Sequence, residues 1–443
     1  MARFLYNLAL LFLLPYVGLH LLLRSRRQPE YLRHVGERFG RYPSPQPSPR
    51  RGEGADLLPS PASGRGAGGE GLIWLHAVSV GETRAAAPIV AALKARHPGH
   101  RILLTHMTPT GRRASEDLFG DGVERAYLPY DYPCAVRRFL RHFRPAIGVV
   151  METEIWPNLV AICKEKGLPL LLANARLSEK SARRYARFPN LTRGALRGLA
   201  ALAAQTEQDA ARLRALGAPQ VEVLGNVKFD CLPAEDQLAL GEVLRGRIGS
   251  RPVLLAASTR EGEEALLFEA LAQHPLGEAL LVVVPRHPQR FEEVAALAAK
   301  AGFAVQRRSE NAPVAAQTQV LLGDSMGELF AYYAACDVAF VGGSLLDYGS
   351  QNLIEACAVG RPVLIGRSIY NFTHAAEQAL ECGAARRIGT AAELLEAAGE
   401  LLADEAARQR MGEAGKAFAA RHRGATAQTV ELIESRLAGR PTA

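Results

Sequence analysis

The stretch LIWLHAVSVGE, residues 72–82, decides the fold. Leu72 to His76 is a short apolar run, and the chain then passes through small residues to Gly81 and Glu82, where a helical pattern begins. A buried strand that turns through glycine into a helix is the repeating unit of a parallel α/β sheet. It aims backbone N–H groups and a helix N-terminus at the sheet's carboxyl edge, where open sheets bind ligands. Glu82 falls on that edge, either as a functional carboxylate or as a first-turn acid that complements the helix dipole.

The same alternation continues outward. Apolar runs predict strands at 101–105, 125–128, 146–151, 168–172, 199–204 and 221–224, with helical patterns such as 83–96 and 134–143 between them. The series stops near 225–230, and a polar helical connector follows to about Ser250. A second series predicts strands at 252–257, 279–284, 303–306, 319–322, 337–341, 362–365 and 385–388. Strands separated by helices imply parallel sheets covered on both faces, and 443 residues exceed one ordinary core. The economical α/β architecture is therefore two Rossmann-like domains facing a cleft, 72–230 and 251–404. A linker at 231–250 joins them, and a helical tail at 405–443 packs against both.

Before Leu72 the character changes twice. Phe4 to Leu23 carries no formal charge apart from a possible one on His20, and Arg24, Arg26 and Arg27 follow at once. Twenty apolar residues suffice to cross a hydrocarbon core of about 30 Å, and the basic flank favours a cytoplasmic C-terminal side. Residues 1–27 thus read as a membrane anchor, spanning or interfacial, and no small-x-small cleavage site marks a signal peptide. Within 28–71 a basic, aromatic juxtamembrane segment gives way at Pro43 to a Pro/Gly/Ser/Arg-rich stretch. This reads as a flexible insertion without chemistry. The formal charge of +8 suits a membrane surface or an acidic ligand, since no zinc-type or RNA-binding motif argues for nucleic acid. The cysteines, at 134, 163, 231, 336, 357 and 382, form no CxxC pair and read as reduced thiols.

Candidate chemistry collects at strand ends. Glu152 follows the run at 146–151 as Glu82 follows 72–76, and Lys228 follows the last strand of the first domain. Carboxylates in different environments divide proton-transfer and charge-stabilising roles, and an ammonium stabilises a developing anion. A helix-start acid and an exposed hinge lysine are the plain alternatives. In the second domain Ser258, Thr259 and Arg260 follow one strand, and Pro285, Arg286 and His287 another. Gly342, Gly343 and Ser344 follow a third, before GSQNLIE at 349–355. Arginine, hydroxyls and helix-start amides are the groups that hold phosphate. Asn352 and Glu355, three apart, suit a ribose diol. No GxGxxG or GxxxxGK[ST] fingerprint is present.

HAVSVGE at 76–82, METEIWPN at 151–158, GNVKFD at 225–230, VPRHPQR at 284–290, DSMGEL at 324–329 and GGSLLDYGSQNLIEA at 342–356 together resemble the 3-deoxy-D-manno-octulosonic acid (Kdo) transferases of lipopolysaccharide synthesis. The resemblance covers residues 1–40 and 72–430. It implies a glycosyltransferase of the GT-B type, anchored at the cytoplasmic face of the inner membrane through a single N-terminal helix. Such an enzyme moves Kdo from CMP-Kdo to a lipid A precursor, with no cofactor and no metal. Carried over, Glu82 matches the general base, and Glu152 and Lys228 match transition-state stabilisers. Pro285, Arg286, the turn Met326, Gly327, Glu328, and Asn352, Leu353, Ile354 and Glu355 match CMP-binding segments. Ser258, Thr259, Gly343 and Ser344 are further possible donor contacts. The last motif departs from the family at Gly349, Ser350, Gln351 and Ala356. Two other classes compete. A nucleotide-sugar epimerase shares the two-domain plan without needing the anchor, and a lipid-binding scaffold needs the anchor without Glu82, Arg286 and Glu355.

Overall fold

A computed structural model describes residues 2–26, 28–43, 71–230 and 233–438. The Pro/Gly-rich stretch, apart from its end residues Pro43 and Gly71, and Cys231 lie outside them. The chain forms two compact units, Met1–Asp230 with Gly424–Ala443, and Cys231–Arg423.

The first unit is built on a parallel sheet of strand order β3-β2-β1-β4-β5-β6-β7. Its strands are β1 (Leu72–His76), β2 (Arg101–His106), β3 (Glu124–Tyr127), β4 (Ile147–Met151), β5 (Leu170–Ala175), β6 (Ala201–Ala204) and β7 (Glu222–Val223). The inner strands β1, β4, β5 and β6 read as nearly unbroken apolar runs because helices bury both faces. On β1, Leu72 and Trp74 pack with Leu103, Val150 and Leu172 on one face, while Ile73 and Leu75 pack with Ile102, Leu104 and Leu171 on the other. The Trp74 indole is fully buried and donates to Thr105 Oγ1 at 2.7 Å. Gly148 lies opposite it on β4. A Cβ there would sit 2.6 Å from the indole ring, so the glycine makes room for the largest side chain of the core.

The second unit repeats the plan in the order β10-β11-β9-β8-β12-β13-β14. Its strands are β8 (Val253–Thr259), β9 (Leu280–Pro285), β10 (Val305–Arg307), β11 (Val320–Leu322), β12 (Val338–Val341), β13 (Val363–Ile365) and β14 (Ala385–Arg387). Each strand of both sheets lies where an apolar run predicts one, with ends shifted by a few residues. The largest shift is at β5, which runs on past Leu172 to Ala175.

One segment differs from its sequence reading, and two are placed more sharply by the structure. The connector helix, Glu235–Ile248, is built into the second unit rather than linking two bodies. Gly241 lets it approach Ala331 and Ala334, and Arg245 pairs with Asp337 at 3.1 Å. The tail divides at Gly424. Glu405–Arg421 belongs to the second unit, whereas Ala425–Ala438 buries Val430 and Ile433 in the first. Asp230 ties down the start of that last helix by accepting from Gly424 N and Thr426 N. Finally, part of the juxtamembrane segment is core. Glu37 accepts from Tyr127 N at 2.7 Å and pairs with Arg112, and the buried Arg38 guanidinium lies 4.1 Å over the Tyr127 ring.

The N-terminal helix, Ala2–Ser25, is long and apolar enough by length and composition to cross a membrane, with a mean hydropathy of 1.8. Its large apolar side chains are mostly exposed, Phe12 to 76%.

Candidate active site

In a doubly wound sheet, ligands sit outside the carboxyl ends of the strands where the strand order reverses. In the first unit that point lies between β1 and β4, which are paired through His76 and Val150. Glu82 and Glu152 stand on the segments that leave these two neighbouring strands.

Glu82 lies in the first turn of the helix Val80–Arg96, whose N-cap is Ser79. Its carboxylate accepts from Val78 N at 2.7 Å through Oε2 and from Ser79 Oγ at 3.1 Å through Oε1. This S-x-x-E pattern is a variant of the capping box, with the glutamate reaching one residue further back than usual. The helix-start reading therefore describes part of what Glu82 does. Its titration is a second property. Burial, helped by the charge of Glu152, raises the pKa from 4.5 to about 7, against the opposing hydrogen bonds from Val78 and Ser79. A carboxyl poised there can take a proton near neutral pH.

Glu152 immediately follows β4 and holds a left-handed backbone, φ +57°. Its amide donates to Ala173 O at 2.9 Å, which continues the ladder to β5. Its Oε1 meets Lys228 Nζ at 3.1 Å, and both side chains are half-buried. Lys228 sits on the 3₁₀ turn Val227–Asp230. Asn174 fixes that turn by accepting from Val227 N at 3.2 Å. Glu154, two residues beyond Glu152, also has its pKa raised, chiefly by burial. The structure thus gathers Glu82, Glu152 and Lys228 into one corner of the first unit.

In the second unit the order reverses between β8 and β12. Ser258, the penultimate residue of β8, has φ +56°, and Gly342 follows β12 so closely that a Cβ would lie 2.7 Å from Ser258 O and Thr259 Cα. Glu263, fully buried, clamps the two loops together. It accepts from Arg260 N at 2.8 Å, Gly343 N at 2.6 Å and Leu345 N at 3.0 Å. Beside it Glu264, also fully buried, accepts from Thr259 Oγ1 at 2.7 Å and pairs with Arg290 at 2.7 Å. Neither acid stands out in the sequence, because two glutamates at a helix start look like ordinary dipole partners.

Pro285 ends β9, and the next residue, Arg286, donates its amide to Thr259 O at 3.0 Å and its Nε to Gln351 Oε1 at 3.3 Å. The arginine thereby joins the β9 loop to the segment that opens the helix Ile354–Val359. On that segment Asn352 accepts from Ile354 N and donates to Glu355 Oε1 at 3.0 Å. Arg260, Arg286 and Arg290 stand around His287, whose pKa is lowered by burial and then by their charges. The turn Met326–Glu328 follows β11. Met326 is half-exposed, Gly327 has φ +82°, and Glu328 accepts from Ser325 Oγ at 2.6 Å and pairs with Arg308 at 3.4 Å.

Several expected donor contacts have no free side chain to offer. The Ser344 hydroxyl is fully buried, donates to Val341 O at 2.5 Å and accepts from Gly366 N at 2.8 Å. The Thr259 hydroxyl is committed to Glu264. Leu353 and Ile354 are buried in the core. These positions are buried and shape the loops from beneath.

Residues 33–231 match the family of 3-deoxy-D-manno-octulosonic-acid transferases (kdotransferases), and residues 300–418 match the group 1 glycosyl transferases. The chain is 44% identical to a 3-deoxy-D-manno-octulosonic acid transferase of Bordetella pertussis, over 98% of this chain and 99% of that one. It is 36% identical to the protein of that name in Haemophilus influenzae, over 98% of both. A glycosyltransferase structure from Rickettsia africae superposes with a TM-score of 0.57 at 13% identity, covering 84% of this chain and all of that one, a likeness of fold. With paired doubly wound units of the GT-B plan and relatives this similar along nearly its whole length, the chain belongs to the Kdo transferase family of glycosyltransferases.

Proposed function

We propose that this enzyme transfers Kdo from CMP-Kdo to the lipid A precursor, tetra-acylated and bis-phosphorylated, with inversion at the anomeric carbon. The reading rests above all on Glu82, a carboxyl at the switch point of the first unit whose pKa burial lifts to about 7. Glu82 is the general base, and it takes the proton of the acceptor hydroxyl as that oxygen attacks the Kdo carbon. The hydroxyl is a poor nucleophile without such a base. CMP leaves as a phosphate that needs no protonation, so positive charge and backbone donors stabilise the departing group. Arg286 is the first of these on the donor side. Lys228, oriented by Glu152, stabilises charge from the acceptor side.

The β8, β9 and β12 loops, clamped by Glu263, shape the site of the CMP phosphate, and Arg286 supplies its positive charge. Asn352 and Glu355 take the ribose, and the Met326–Gly327–Glu328 turn takes the remainder of the nucleotide. The N-terminal helix holds the enzyme at the cytoplasmic face of the inner membrane, where a lipid acceptor is presented. The test is CMP release from CMP-Kdo with and without lipid A precursor, together with mass spectrometry of the lipid. Acceptor-dependent release and a lipid heavier by Kdo are expected. Acceptor-independent turnover, or none from folded protein, overturns the reading.

A further inference from the structure

The N-terminal helix has a polar edge that a simple membrane span does not explain. Arg3, Tyr6, Asn7 and Leu10 recur at helical spacing and so share one face. All four are bonded to the first unit. Arg3 pairs with Glu165 at 2.9 Å, and Tyr6 Oη donates to Asp131 Oδ2 at 3.0 Å. Asn7 Oδ1 accepts from Asn158 Nδ2 at 2.7 Å, and Leu10 O accepts from Tyr132 Oη at 2.9 Å. The same face is recessed again at Val17, Gly18 and Leu21, beyond an exposed stretch at 11–16. Phe4, Leu8, Leu11, Phe12, Leu19 and Leu22 form the opposite, exposed stripe.

At 1.5 Å per residue the helix is about 36 Å long. If it crossed a bilayer with Arg24 on the side of the body, Arg3 would lie about 30 Å and Leu10 about 20 Å away from that side. Their bonds to Asp131, Tyr132, Asn158 and Glu165 forbid this. The keystone is Asp131, 2% exposed, which accepts from Asn158 N at 2.9 Å and Leu159 N at 2.8 Å as well as from Tyr6. It thereby caps the helix Pro157–Glu165, whose own N-cap residue, Trp156, makes no capping bond, and joins that cap to the N-terminal helix. The loop entering the capped helix begins at Glu152.

We infer that the N-terminal helix does not span the membrane. It is a ridge fixed along the first unit, immersed in a single lipid leaflet through its exposed apolar stripe, with both ends on the side of the body. This rests on the reading that the helix meets a membrane, and the experiments separate the two. Full-length Arg3→Cys protein is labelled with a membrane-impermeant maleimide in sealed inside-out and right-side-out vesicles, and peptide mass spectrometry distinguishes the sites. Cys134, exposed on the body, serves as the internal reference. The thiol introduced by Arg3→Cys is expected to label in the same vesicles as Cys134, and labelling from the opposite side overturns the inference. An Arg3→Cys/Glu165→Cys protein should cross-link internally with a short bis-maleimide. Single labelling of both sites without a cross-link overturns the fixed contact. Flotation with phosphatidylglycerol-containing vesicles tests the membrane reading itself. Binding should be lost in a Phe4→Glu/Leu8→Glu/Phe12→Glu protein, and undiminished binding overturns lipid immersion of the stripe.

Discussion

Lys228 Nζ lies 3.1 Å from Glu152 Oε1, and the glutamate holds its place with a left-handed backbone. A non-glycine residue in that conformation costs on the order of 1 kcal/mol, and such strain concentrates at functional sites. The pair itself contributes under about 1 kcal/mol to stability, because both side chains are partly solvated. Function should therefore respond far more than stability. Lys228→Met is expected to lower kcat for transfer by about 10²- to 10³-fold, the usual scale for losing one preorganised charge. Its melting temperature should stay within a few degrees of the native value, and Glu152→Gly should melt no lower. Steady-state kinetics beside differential scanning calorimetry check both, and a large loss of stability with kcat intact would contradict the assignment.

The raised pKa of Glu82 makes two linked predictions. As a base it must be ionised, so the transfer rate at saturating substrates should rise with pH through about 7 and then level off. The protonated form is the one the fold favours, so the stability this group contributes is full below its unfolded pKa near 4.5 and is lost as pH rises through about 7. Glu82→Gln, inactive in transfer, should thus be more stable than the native enzyme at pH 8 by up to about 3 kcal/mol. The difference should vanish near pH 4. A purely structural first-turn acid predicts the reverse, a variant that melts lower at pH 8.

Glu263 holds three backbone amides of the second unit with one buried carboxylate. Glutamine keeps its size but turns an NH₂ toward N–H donors, leaving buried groups unpaired at about 1 to 3 kcal/mol each. Glu263→Gln is expected to lower the stability of the second unit and to weaken CMP binding, because the β8 and β12 loops lose their clamp. Calorimetry resolves the first effect and isothermal titration with CMP the second. Unchanged CMP affinity would separate the clamp from the donor site.

The inner strands are legible in the sequence because each is a run of apolar residues buried on both faces, a pattern that needs no tertiary information. Glu82, Glu152 and Arg286 are legible as strand-end residues for the same reason. Asp131 is not. It caps a helix that starts 26 residues later, and nothing near it in the sequence announces that partner. Glu263 becomes a clamp only when pairing of β8 with β12 brings Gly343 beside it. The division of the tail at Gly424 depends on Asp230, nearly two hundred residues away, reaching the amides that start the last helix. Local composition encodes elements and their edges, whereas these three features are made by closure over long sequence distances.

Glu355 offers a last test, of the donor side. It stands in the first turn of Ile354–Val359 and receives the Asn352 side-chain amide at 3.0 Å. As a mere partner of the helix dipole it would contribute about 0.3 to 1 kcal/mol, and Glu355→Gln would cost that much stability with no kinetic effect. If the carboxylate accepts from a ribose diol, the loss falls on the nucleotide instead. A hydrogen bond to a charged group is worth about 1.5 to 3 kcal/mol, so KM for CMP-Kdo should rise at least roughly tenfold while the melting temperature barely moves. Asn352→Asp sharpens the comparison. It places a second negative charge against Glu355 and should weaken CMP binding further, whereas Asn352→Ala removes only the amide that orients the glutamate. CMP titrations across the three variants check this order, and equal affinities would remove Glu355 from the donor site.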